Sequence, residues 1–118
     1  MKHFSTEELT ASETAKRLNI DNTPDDEATV NMTRLVNTVL DPAREKAGCP
    51  IKVNSGYRSK ELNKAVGGAQ NSYHLTGRAA DVTTGTIIGN RRLLAILSRL
   101  PHTELIWEGN GKWIHVAL

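Results

Sequence analysis

An α+β fold is expected of these 118 residues, with N-terminal helices packed on a small, mainly antiparallel sheet. Two observations carry that expectation. In the first half, Ala28, Met32, Leu35, Val36, Val39 and Ala43 recur at three- and four-residue steps, the period of one buried helical stripe. In the second half, two short alternating segments, 104–108 and 113–117, flank Gly109-Asn110-Gly111-Lys112, and an Asn-Gly pair between alternating runs is a strong hairpin signal.

Taken in order, a first short helix is expected over 12–18, with Ala15 and Leu18 inward and Lys16 and Arg17 outward. Thr23 is placed as the cap of the long helix that opens with Pro24, Asp25, Asp26 and Glu27, where proline's missing donor is harmless and acids suit the positive end. Pro42 should kink or interrupt that helix, and Gly48 should end it. Ile51-Lys52-Val53 alternates like a strand and delivers the chain to Ser55-Gly56-Tyr57-Arg58. Ser59 then caps a short helix through Val66, stopped by Gly67-Gly68. Residues 78–82 form a central strand carrying Asp81, and the small Ala79 and Ala80 suit close packing. Asn90 is placed as the cap of a last helix through Leu100, with Leu93, Leu94, Ile96, Leu97 and Leu100 as its apolar face and Pro101 closing it.

The hairpin has a calculable register. Closing it around Asn110-Gly111 pairs Glu108 with Trp113, Trp107 with Ile114 and Ile106 with His115. Cross-strand partners share a face, so Ile106, Glu108, Trp113 and His115 point the same way, as does Glu104 by parity. Glu108 and His115 become diagonal neighbours roughly 7 Å apart at the backbone. Glu104 is read as lying further from His115.

Length fits one domain, 1–118, and a monomer is expected. The formal charge of +2 is too small and too dispersed for a nucleic-acid partner, although the helix-rich start and a pI near 8.9 keep a small DNA-binding protein as a rival. Acids sit near the N-terminus where a signal peptide would need an apolar core, and no stretch is suited to membrane insertion, so the protein is expected to be cytoplasmic as synthesised. Cys49 stands alone, excludes an internal disulfide and is read as structural.

The chemistry concentrates in His74, Asp81 and His115, a candidate set of three zinc ligands. Three protein ligands leave a fourth corner for water and substrate, the arrangement of a catalytic rather than a structural zinc. Gly77, Ala79 and Ala80 lie between the first two and let the chain turn and return close to itself. His115 sits in an apolar, strand-like ending, where a buried imidazole needs a partner. Arg58 stands at a strand-to-helix corner, where a planar guanidinium and free helix amides suit a carboxylate; otherwise it is a solvated arginine. Glu108, on the His115 face, is the candidate general base, with an exposed hairpin glutamate paired to Lys112 as the alternative. Ser72 either bonds substrate or orients the loop before His74. Tyr57 and Trp113 either wall the cleft or fill the core. His3 and His102 are assigned no metal.

Four ordered words, Ser55-Gly56-Tyr57-Arg58-Ser59, Leu62-Asn63-Lys64-Ala65-Val66-Gly67-Gly68-Ala69, Ser72-x-His74-x-x-Gly77-x-Ala79-x-Asp81 and Trp113-x-His115-Val116, resemble the zinc D-alanyl-D-alanine carboxypeptidases and the related phage endolysin peptidases. The resemblance runs over 50–118 and more weakly through the N-terminal helices. It implies the hedgehog/DD-peptidase fold and one Zn2+ ion on His74, Asp81 and His115. It also implies an Arg58 that contacts a substrate carboxylate or carbonyl, and a peptidoglycan stem peptide as substrate, cut by a carboxypeptidase or an endopeptidase. Action on the cell wall would then follow phage-type release or another export route. Many relatives place the catalytic glutamate three residues before the second histidine, where this chain has Lys112; relatives with the Leu-Ile-x-Glu word carry one matching Glu108. Lys112 therefore keeps open a catalytically silent zinc- or peptide-binding module on the same fold.

Overall fold

In the computed structural model, which describes residues 1–118, two short helices open the chain, α1 (Thr6–Thr10) and α2 (Glu13–Leu18). Each is capped by a serine: Ser5 Oγ accepts from the Glu8 amide and Ser12 Oγ from the Ala15 amide. Leu9 and Ala15 are buried as a helical face requires, but Leu18 is 51% exposed. The helix has less than two turns before Asn19 goes left-handed at φ 54°, so only its middle reaches the core.

The long helix starts one cap later than expected. Asp25, not Thr23, caps α3 (Asp26–Leu35), accepting the Ala28 amide at 2.8 Å. Thr23 is taken by a local turn, since the Asp21 carboxylate accepts both its amide and its hydroxyl. After α3 the chain widens into a π-helical turn, Val36–Leu40, before α4 (Asp41–Ala47). Pro42 sits at the start of α4, where it has no amide to give and its ring crowds the preceding turn, so the interruption expected at Pro42 lies just N-terminal to it. The helical stripe is intact across the defect: Ala28, Met32, Leu35, Val36, Val39 and Ala43 are each at most 1% exposed. Gly48 ends α4 at φ 67°.

Strand β1 (Lys52–Ser55) leads into α5 (Lys60–Ala65), whose cap is Ser59 as expected. A 3-10 turn, Tyr73–Thr76, precedes β2 (Ala79–Thr83). Helix α6 (Ile87–Ser98) is capped by Thr86 and not by Asn90. Asn90 lies inside the helix, 1% exposed, because its amide is needed elsewhere. Its oxygen accepts the Thr84 amide at 2.8 Å and its nitrogen donates to the carbonyls of Gly111 and Lys112. The hairpin follows as β3 (Glu104–Glu108), a 3-10 turn at Gly109–Gly111, and β4 (Trp113–Ala117).

The sheet has the order β1-β2-β4-β3 with every neighbouring pair antiparallel. The calculated hairpin register is observed: Glu108 faces Trp113, Trp107 faces Ile114 and Ile106 faces His115. Alternation along β2 and β4 sends Ala80, Val82, Ile114 and Val116 into a core shared with Leu35, Val36, Val39, Leu93 and Leu97. Full burial of each large aliphatic side chain there contributes about 1.5–3 kcal/mol. The same alternation puts Asp81 and His115 on the opposite sheet face, together with Ala79, Ala117, Trp113 and Ile106. A slip in the β1 register, between Val53 and Ser55, brings Ser55 opposite Asp81, so that Ser55, Asp81, His115 and Ile106 form one row across all four strands.

Candidate metal centre

Asp81 and His115 are direct partners across β2 and β4, which makes their meeting a consequence of register. His74 arrives from the 3-10 turn that precedes β2. That turn can approach because Gly77 follows it at φ 74°, where a Cβ would lie 2.4 Å from the Ala28 carbonyl oxygen of α3. Asn31 of α3 fixes the turn further by donating to the Thr76 carbonyl at 2.9 Å. One ligand atom from each of His74, Asp81 and His115 lies within 4.8 Å of the others. The two rings approach edge to face with centroids 5.2 Å apart.

Each histidine has its outward nitrogen engaged. His74, 3% exposed, bonds the Gly56 carbonyl through Nδ1 at 2.7 Å. A carbonyl only accepts, so the single proton of the neutral ring is on Nδ1, and Nε2 turns toward Asp81 Oδ1 at 3.3 Å. Gly56 is itself pressed against α1, since a Cβ there would stand 2.2 Å from the Leu9 carbonyl oxygen. His115 is oriented the other way round, with Nδ1 at 2.9 Å from Asp81 Oδ1 and Nε2 at 2.8 Å from Glu104 Oε1. Burial alone would raise the Asp81 carboxyl, but the His115 and His74 rings, which in their protonated form donate hydrogen bonds to it and carry positive charge, hold it at about 2. The hydrogen bond to Asp81 raises His115 above the ordinary histidine value, against the opposing effect of burial and with Glu104 adding to it. Two imidazoles and a carboxylate are a donor set that zinc accepts, and a neighbouring cleft of about 520 Å³ is bordered by Ser72, Tyr73, Glu104 and His115. The residues therefore fit the ion.

Arg58 is at the rim of the same centre. Its Nη2 lies 3.6 Å from Asp81 Oδ2, its Nε donates to Ser55 Oγ and its Nη1 donates to Asn63 Oδ1. Burial lowers the guanidinium from the usual arginine value and Asp81 opposes the shift. Asn22 holds the corner by accepting the Ser59 amide at 2.7 Å and donating to the carbonyls of Thr10 and Tyr57. Ser72 accepts the His74 amide at 3.1 Å and so orients the turn from the cleft wall. Tyr57 packs on the core, and Trp113 lies over Gly109 in the hairpin turn. His3 contacts Glu45, and exposed His102 bonds only the Leu100 carbonyl, so neither reaches the centre.

Glu108 and Glu104 both occupy the His115 face, but their expected order is reversed. Ile106 is opposite His115, which makes the two glutamates equivalent diagonals, and it is Glu104 that touches the ring. No ion pair joins Glu108 to Lys112. Reading the register to its end would have shown the equivalence. Gly56 and Asn63 lie within the motif words, but nothing in the words tells that the Gly56 carbonyl holds His74 or that the Asn63 amide oxygen holds Arg58.

The model of the peptidase M15 family matches residues 2–117. The chain belongs to the peptidase M15 family. Over 71 residues this M15 chain is 54% identical to the zinc D-Ala-D-Ala carboxypeptidase of Streptomyces albus G, a stretch that covers 58% of the chain. The chain spans 28% of that relative's length. Among solved structures, the L-Ala D-Glu endopeptidase ChiX of Serratia marcescens superposes with a TM-score of 0.54 at 19% identity, covering 79% of this chain and 86% of that one, a likeness of fold. No helix of this M15 chain is long and apolar enough to cross a membrane.

Proposed function

We propose that this chain is a zinc metallopeptidase that hydrolyses peptide bonds in peptidoglycan stem peptides, with one Zn2+ held by His74, Asp81 and His115. The observation that carries the reading is the convergence of two histidine nitrogens and a carboxylate within 4.8 Å beside an open cleft. When bound there, zinc supplies a Lewis acid that polarises a carbonyl and makes water a nucleophile near neutral pH. The remaining work falls to this chain's own side chains. Arg58, pre-oriented by Ser55, Asn63 and Asp81, grips a carboxylate or carbonyl of the peptide. Glu108, on the His115 face, takes the proton of the attacking water on its carboxylate and returns it to the leaving amine. Ser72 lines the substrate cleft while keeping His74 in place. The cell wall is the site of action, reached after release or export.

Family membership and the named relatives support this reading from outside the site. One relative is a D-Ala-D-Ala carboxypeptidase and the other an L-Ala D-Glu endopeptidase, so the test uses stem peptides that contain both bonds. Mass spectrometry of a digest by the zinc-loaded chain should show one of these bonds cut, with the cut abolished by a chelator and restored by added zinc. A protein that holds one equivalent of zinc and leaves every peptide intact is instead the silent binding module that Lys112 keeps open.

A further inference from the structure

We infer that Glu104 is the positioning residue for the second histidine ligand, fixing His115 so that it meets the metal through Nδ1. The inference rests on the zinc reading above. Its basis is the contact between His115 Nε2 and Glu104 Oε1 at 2.8 Å, together with the direction of the other ring nitrogen toward Asp81 Oδ1 and the His74 ring.

A neutral imidazole carries one proton, and the partner of one nitrogen decides which nitrogen keeps its lone pair. Both neighbours of the His115 ring are carboxylates that only accept, so a ring whose Nδ1, facing Asp81 and the His74 ring, gives its lone pair to the metal keeps its one proton on Nε2, where Glu104 accepts it. The Gly56 carbonyl does the converse at His74, keeping the proton on Nδ1 and leaving Nε2 for the centre. The two ligands thus turn opposite nitrogens toward Asp81, with the Gly56 carbonyl behind His74 and Glu104 behind His115. Carboxylate-histidine pairs of this kind also raise the basicity of the ligand and hold the ring against rotation.

The position of Glu104 on the sheet explains why it can do this. It lies two residues from Ile106, the cross-strand partner of His115, on a strand that ends the sheet, and its side chain is 40% exposed at the cleft mouth. Exposure makes the residue replaceable without loss of the core. It also separates its role from that of Glu108: the carboxylate of Glu104 is committed to a ligand, so it is poorly suited to shuttle protons.

The test is a zinc-competition titration with a chromophoric chelator on the parent, Glu104→Gln and Glu104→Ala, accompanied by nitrogen-15 NMR of the histidine rings in the zinc-loaded parent. Glu104→Ala should weaken zinc binding by roughly 10- to 100-fold, the range for losing an outer partner of a metal-bound histidine. Glu104→Gln, whose side-chain carbonyl still accepts from Nε2, should recover part of that loss. The NMR should place the His115 proton on Nε2. The inference is overturned if the parent binds one zinc and Glu104→Ala binds it equally well, or if the His115 proton is on Nδ1. It is also overturned if zinc-saturated Glu104→Gln loses turnover by the hundredfold or more expected of a general base. A parent that binds no zinc overturns the zinc reading and this inference with it.

Discussion

Arg58 makes bonds to Ser55 and Asn63 and approaches Asp81, a fork that a single ammonium does not reproduce. Arg58→Lys should therefore keep fold and zinc but lower kcat/KM by roughly 10- to 100-fold, the value of one or two charge-assisted hydrogen bonds; parent-like kinetics on a stem peptide would remove Arg58 from substrate binding. Glu108→Gln keeps shape and hydrogen bonding but cannot accept a proton at neutral pH. Turnover should fall by roughly a hundredfold to ten-thousandfold with zinc retained, as measured by steady-state kinetics beside metal analysis, and cleavage at the parent rate would assign the base elsewhere. At this scale the sequence revealed the residue types and their motif words. It did not reveal which glutamate meets His115, because parity places both on one face and only the built side-chain geometry brings Glu104 to 2.8 Å.

Among the elements, those with a repeating period were legible and those fixed by a single side chain were not. The stripe of the long helix and the hairpin register were readable because each follows from a periodicity that repeats several times. Thr23 and Asn90 have cap-forming side chains but do not cap, because Ser, Thr, Asn and Asp bond equally well to several local backbone groups, and tertiary partners decide which. Asn90 illustrates the consequence. From inside α6 it ties the end of β2, through Thr84, to the hairpin turn, through Gly111 and Lys112, and so steadies the loop between Glu108 and His115. Asn90→Ala should leave those backbone groups unpaired and cost about 1–3 kcal/mol. Denaturant unfolding of the zinc-free protein measures it, and an unchanged midpoint would show that water replaces the amide without loss.

Over the whole molecule, the three candidate ligands come from a 3-10 turn and two central strands, and only the complete sheet sets them side by side. The α+β class was readable from the succession of helical and alternating segments. The strand order β1-β2-β4-β3 was not, because nothing local tells β4 to insert between β2 and β3. That insertion makes Asp81 and His115 direct partners and leaves His74 to complete the set from the turn beside them. Two remaining ligands hold zinc poorly, so removing His115 should release the ion while the helical core persists. The most direct measurement is the zinc content of the parent and of His115→Ala after dialysis against a mild chelator. One equivalent in the parent and almost none in the variant is the expected result; one equivalent retained by His115→Ala would contradict the assignment.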